Sequence, residues 1–294
     1  MKPSLKQNVL EYCLFVLPVF VFLIAFEFIP FVNGIVYSFT DWNGISQTYN
    51  IIGFDNYIEA LKPGSAFWSY LLISIRFMLI IVPITNVIAL LLANLLNNPK
   101  LKSSGFARVV VFSPSVVSAV VIAFLWQYVF STCFAKLGDI FGLEILHASW
   151  LGDPEMAFWS IVLVSVWGGI GFLMVIYLAG LQSIDSSVLE ASVIDGASPL
   201  QQLIRIKLPL IMGSVTVCVF LSLSGNLRMF DLPFLLTGGG PAEATTTPAI
   251  NIYVEAFSRH SYGIATARSI VLFVFVLILT MLQVSFTKSK EIQQ

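Results

Sequence analysis

Six long stretches of this 294-residue chain are almost free of charge. Phe77–Pro99, Val109–Ala135, Met156–Ile184, Leu208–Leu227 and Ser269–Thr287 contain no Asp, Glu, Lys or Arg, and Tyr12–Thr40 contains only Glu27. A helix in lipid satisfies its own backbone hydrogen bonds and needs about 20 mainly apolar residues to cross. The stretches therefore predict six spans, at about 12–37, 70–97, 107–130, 157–181, 207–230 and 265–287. Composition points the same way. Hydrophobic residues make up 57% and charged residues 11%, too few for a soluble surface that typically carries ~25% charge. The expected fold class is all-α, a polytopic bundle of six transmembrane helices forming one domain over residues 1–294. The first span is too long for a signal peptide and is interrupted by Pro18, Glu27 and Pro30.

The charges that do occur are unevenly placed. With six crossings, Lys2, Lys6, Lys100, Lys102, Arg108, Arg205, Lys207, Lys288 and Lys290 share one side. Only Lys62, Lys136, Arg228 and Arg259 fall on the other. Short loops rich in Lys and Arg stay in the cytoplasm, so both termini are expected there. Loops 38–69, 131–156 and 231–264 are then external, and 98–106 and 182–206 cytoplasmic. Glu27, Arg76 and Arg268 fall in the outer halves of their spans, where they are expected to snorkel or, for Glu27 and Arg76, to pair. The net charge of -1 excludes a strongly basic nucleic-acid binder. Cys13, Cys133 and Cys218 lack CxxC spacing, and His147 and His260 are the only histidines, so no metal site is expected.

Residues 182–206 are too polar to span. Asp185 or Ser187 can cap a short helix, and Ser187 with Glu190 fits a capping box. Gly196 supplies the stop and Pro199 the first turn of a second helix. Val188, Ala191 and Ile194 give the first helix a small apolar face, suited to docking in a groove of another protein or to lying at an interface. Polar and small residues inside spans also need a reason. Span four holds Ser165, Gly168, Gly169 and Gly171, and span five holds Ser222 and Asn226 one turn apart. Glycine and serine allow close helix packing. Asn226 is costlier to bury and points to a polar cavity.

Glu190-Ala191-Ser192, Asp195-Gly196-Ala197 and Ile206-x-Leu208-Pro209 together resemble the EAA loop of binding-protein-dependent ABC importer permeases. Ser192 departs from the usual second alanine. The carbohydrate-uptake subfamily, of maltose and glycerol-3-phosphate type, is resembled further along nearly the whole chain. The matching segments are Tyr37-Ser38-Phe39 with Asp41-Trp42, Gly53–Tyr57, Trp150–Pro154, Tyr177–Ile184, Phe230-Asp231, Thr237–Pro241 and Tyr262–Ala267 with Ser269.

The resemblance implies a type I ABC importer permease bundle in a bacterial inner membrane, working without chemistry of its own. It implies a second related permease subunit, an ATPase dimer that binds ATP and Mg, an external or periplasmic solute-binding protein, and a sugar substrate. Glu190, Ala191, Ser192, Asp195, Gly196 and Ala197 would couple to the ATPase. Sugar contacts would fall at Ser165, Gly168, Gly169, Phe172, Ser222, Gly225, Asn226 and Met229. Of these, Gly169, Ser222 and Asn226 keep the subfamily's residue type and the others depart from it. Independently of resemblance, no Gly-x-x-x-x-Gly-Lys-[Ser/Thr] phosphate cradle occurs in the chain. The alternative is a secondary transporter driven by an ion gradient. It would need inverted repeats and buried acids, and Glu27 is the only acid within the expected spans.

Overall fold

The computed structural model describes residues 5–98 and 103–289, and the side chains from Leu14 onward within these ranges. Lys2, Lys100, Lys102 and Lys290 of the charge asymmetry lie outside the described residues, as do the side chains of Lys6 and Cys13. Among the described residues all regular structure is helical, apart from one isolated bridge between Thr40 and Ile51.

The helices follow in order. Leu5–Leu23 (α1) passes through a π-turn, Ile24–Phe28, into Ile29–Tyr37 (α2), and Asp55–Leu61 (α3) is short. Ala66–Leu96 (α4) is the longest at 31 residues. Ser104–Phe112 (α5), Ala119–Tyr128 (α6) and Phe134–Phe141 (α7) come next. Pro154–Gln182 (α8) leads to Ser186–Ile194 (α9), Pro199–Gln201 (α10), Leu208–Leu210 (α11) and Met212–Leu227 (α12). Asp231–Thr237 (α13), Pro248–Tyr253 (α14) and Tyr262–Lys288 (α15) complete the chain.

Five helical stretches are long and apolar enough to cross a membrane, or six if one bent pair counts as a single span. Two expected spans are interrupted. The stretch 107–130 breaks at a 3-10 turn, Ser113–Val116, because Pro114 has no N–H to continue the ladder and Val117 is extended. Ser118 then caps α6, and the long apolar helix runs over Ala119–Phe141, into the expected external loop. The stretch 207–230 bends by 80° between Leu210 and Met212. Pro209 and the non-helical Ile211 (ψ 20°) sit at the break.

The chain forms two compact units. One comprises the chain up to Ser65 together with Ile252–Val271. Its α1–α2 surface is apolar and none of Leu14–Tyr37 is buried. After α2, Asn56 Nδ2 donates to the Ser38 and Thr40 carbonyls (2.9 and 2.8 Å), and the Trp42 ring packs tilted on Tyr37 at 4.2 Å and edge-on to Tyr262 at 5.1 Å. Gly263 lies against the Thr40 carbonyl so closely that a Cβ could not fit. Arg268 does not snorkel. It is buried, and its Nη1 donates to Glu255 Oε1 at 2.7 Å, an acid that Arg259 also contacts.

The other unit comprises Ala66–Asn251 and the chain from Leu272. Helix α4 lies along α8, and α12 packs on both. Two apolar clusters hold them. Phe77 stacks on Phe158 (4.5 Å) beside Ile81 and Ile161. Ala89 and Ala93, one turn apart on α4, pack with Leu173, Met174 and Tyr177. Arg76 lies over the Phe158 ring at 4.0 Å, a cation–π contact that accommodates its charge within the apolar run.

Candidate functional site

The polar segment after α8 folds as a helix–turn–helix. Asp185 caps α9, its carboxylate accepting from the Ser187 N–H at 2.9 Å. That bond holds the Asp185 carboxyl below the usual carboxylate range. The expected Ser187–Glu190 capping box does not form, because Asp185 supplies the cap. A capping box forms instead at α10, where Ser198 Oγ accepts from Gln201 N–H and Gln201 Oε1 accepts from Ser198 N–H. Gly196 turns the chain between them with φ +75°, a left-handed conformation that favours glycine.

Within this turn Glu190, Ala191, Asp195 and Gly196 are exposed and Ala197 is half-buried. Ser192 is buried. Its Oγ donates to the Leu189 carbonyl (2.6 Å) and accepts from Gln202 Nε2 (2.8 Å). The departure from alanine therefore ties α9 to the segment after α10. The apolar side chains face outward, with Val193 at 64% and Ile194 at 86% exposure and Val188, Leu200 and Ile204 also exposed. Surfaces of this kind are interaction sites more often than solvated faces.

Beyond the turn, at Ile211, the chain re-enters the bundle as α12. A cavity of about 290 Å³ opens between α4, α8 and α12. Ser165, Gly169 and Phe172 line it from α8, and Ser222, Gly225 and Asn226 from α12. Six of the eight candidate contact residues thus lie together. Gly168 does not line the cavity and faces open space. Met229 lies just beyond α12, touching Ser165 Oγ through its sulfur at 4.0 Å and packing on the Phe77 cluster. The neighbouring glycines serve different ends. Gly169 faces the Thr85 methyl at the cavity wall, whereas Gly171 is pressed against the Val111 and Phe112 backbone.

Helix α4 supplies a wall that was not among the candidate residues, with Ile81 and Thr85 lining the cavity. Asn86, beside Thr85, is buried and bonds Ser222 Oγ at 2.9 Å. The signal was the adjacent polar pair Thr85-Asn86 inside a charge-free run. A second hollow, about 370 Å³, lies at Phe130, His147 and Trp150, outside the set of candidate residues.

Apolar helices of spanning length, a cavity among three of them with a few hydroxyl and amide groups in a mainly apolar wall, and an exposed turn linking two of these fit a multi-pass membrane permease. The chain belongs to the family of binding-protein-dependent transport system inner membrane components, whose profile matches residues 85–291. It is 34% identical over 292 residues to the probable starch degradation products transport system permease protein AmyD of Thermoanaerobacterium thermosulfurigenes, covering 99% of each chain. It is 31% identical to the multiple sugar-binding transport system permease protein MsmF of Streptococcus mutans, covering 92% of each. The fold matches a chain of a bacterial ABC transporter that imports the acidic polysaccharide alginate, with TM-score 0.82, 22% identity and coverage of 97% and 96%. Family membership makes the chain a transport subunit and decides against an ion-gradient-driven secondary transporter.

Proposed function

We propose that this chain forms half of the translocation path of an ATP-driven sugar importer in a bacterial inner membrane. The reading places both termini and the α9–α10 turn in the cytoplasm. It pairs the chain with a related permease subunit, an ATPase dimer holding ATP and Mg, and an external solute-binding protein. Sugar as the substrate class is supported by the names of the relatives, which concern starch degradation products and multiple sugars.

One observation carries the coupling. The exposed turn Glu190–Ala197 joins the two helices, α8 and α12, that contribute most of the cavity wall. A partner that grips Val188, Val193 and Ile194 and shifts on closing would move both walls together. That is the rigid-element motion alternating access needs. In the cavity, Phe172 offers an aromatic face and Asn226 and Ser222 neutral hydrogen-bonding groups, the complement of a sugar ring.

The test is uptake of labelled maltose, trehalose and lactose by cells expressing this chain with the permease, ATPase and binding protein encoded beside it. Uptake of at least one is expected, and it should vanish when the ATPase is omitted. Uptake that persists without the ATPase would overturn the reading.

A further inference from the structure

The hydrogen bonds around Asn86 have fixed directions, because carbonyl oxygens only accept. Asn86 Nδ2 lies 2.8 Å from the Val82 carbonyl, so the amide nitrogen faces that side and Oδ1 faces the other. Oδ1 then accepts from Tyr177 Oη at 2.8 Å, and both side chains are buried. The second N–H of Asn86 donates to Ser222 Oγ at 2.9 Å. Ser222 Oγ in turn donates its single proton to the helix carbonyls of Cys218 (2.8 Å) and Val219 (3.2 Å). Nearby, Thr85 Oγ1 donates to the Ile81 carbonyl (2.7 Å) and Asn226 Nδ2 donates to the Ser222 carbonyl (2.7 Å).

The consequence is a bias in what the cavity offers. Ser222 and Thr85 have spent their hydroxyl protons and keep only lone pairs. Asn226 has its carbonyl oxygen and one N–H left. Ser165, whose hydroxyl among the described residues touches just the weakly accepting Met229 sulfur, is the other donor. Among the described residues no charged side chain lines the cavity.

We propose that Asn86, locked by Tyr177, is a positioning residue that sets Ser222 as an acceptor and thereby makes the cavity select ligand hydroxyl donors over anionic groups. Resting on the sugar-path reading, it narrows the substrate to neutral, hydroxyl-rich sugars. A carboxylate or phosphate entering here would meet the lone pairs of Thr85 and Ser222, only two neutral donors at Ser165 and Asn226, and no cation to offset its desolvation.

The test uses the assembled importer, with its partner permease, ATPase and binding protein, in proteoliposomes. The probe is whichever of maltose, trehalose or lactose is carried fastest, compared with the uronic acid of the same skeleton. The acid is expected to be carried at least about tenfold less well, the worth of one lost hydrogen bond or more. Asn86→Asp keeps the shape of the side chain but removes both N–H donors, to Ser222 and to the Val82 carbonyl. It should raise KM for the neutral probe about tenfold with the maximal rate changed less than twofold. Ser222→Ala should do the same, and the double variant should be little worse than either single one, because the two residues act as one unit.

Faster carriage of the acid would overturn the acceptor assignment while leaving the importer reading standing. Loss of maximal rate at unchanged KM, or additive effects in the double variant, would make Asn86 a packing residue only. ATPase-independent uptake would instead sink the importer reading itself.

Discussion

Around the cavity, polar groups are buried and spent on one another. At the Glu190–Ala197 turn, apolar side chains stand in the open. Asn86 and Tyr177 are 8% and 2% exposed and hydrogen-bonded, whereas Ile194 on α9 is 86% exposed. Each region inverts the usual rule for its surroundings, and each inversion has a use. A buried polar network orients the groups that face a ligand, since leaving one of its members unpaired is costly. An exposed apolar patch gains by being covered. The two regions differ in what a mutation should break: helix packing and the grip on a ligand in the first, the link to a partner in the second.

Their glycines separate the two effects most sharply. Gly171 has the Val111 and Phe112 backbone where its Cβ would go, and backbone cannot swing aside. Gly171→Leu should force α5 and α8 apart at a cost of about 3 kcal/mol or more. Little folded permease should survive in detergent, as size-exclusion chromatography of the expressed chain would show. A normal yield would mean that this contact is softer than the packing implies. Gly196 has open space around it and is constrained only by φ +75°. Gly196→Leu should cost about 1–2 kcal/mol of local strain, leave the chain folded, and abolish uptake while ATP hydrolysis persists. Normal uptake with this variant would sink the coupling role of the turn.

The cavity residues give the next largest effect. Asn226→Ala and Phe172→Ala should each lower uptake by about five- to tenfold, the value of one neutral hydrogen bond or one lost aromatic contact. Assembly should be unchanged, because both side chains line open space rather than the core. If both variants transport like the unaltered chain, the cavity is not on the path.

The spans and the turn were legible because their signals are local. A charge-free run, a left-handed glycine and a proline at a helix start each act within a few residues, and helices α4, α8 and α15 follow from them. The breaks were harder. Pro114 and Pro209 were visible, but proline inside a long apolar helix is also tolerated, as Pro83 within α4 shows. Deciding between a kink and a break depends on neighbours that sequence order does not reveal. The same holds for pairs distant in sequence. Asn86 meets Tyr177 and Ser222, 91 and 136 positions away. Arg268 finds Glu255 in a stretch that reads as loop, through a π-turn no local pattern announces.

The smallest expected effect contrasts the two caps of the turn itself. Helix α9 is capped by a carboxylate, Asp185, and α10 by a hydroxyl, Ser198. The Asp185 carboxyl titrates below its ordinary value of 3.8, because the Ser187 N–H bonds its charged form. A folded-state value below the unfolded one means the cap contributes fully above 3.8 and is lost as pH falls through the lower folded value. Amide-exchange protection in α9 should therefore drop only as pH falls below 3.8, while protection in α10 holds steady. Asp185→Asn keeps a capping oxygen without a titrating group, so it should flatten that pH dependence while leaving α9 protected. Retention of the full pH dependence in Asp185→Asn would show that another group governs α9.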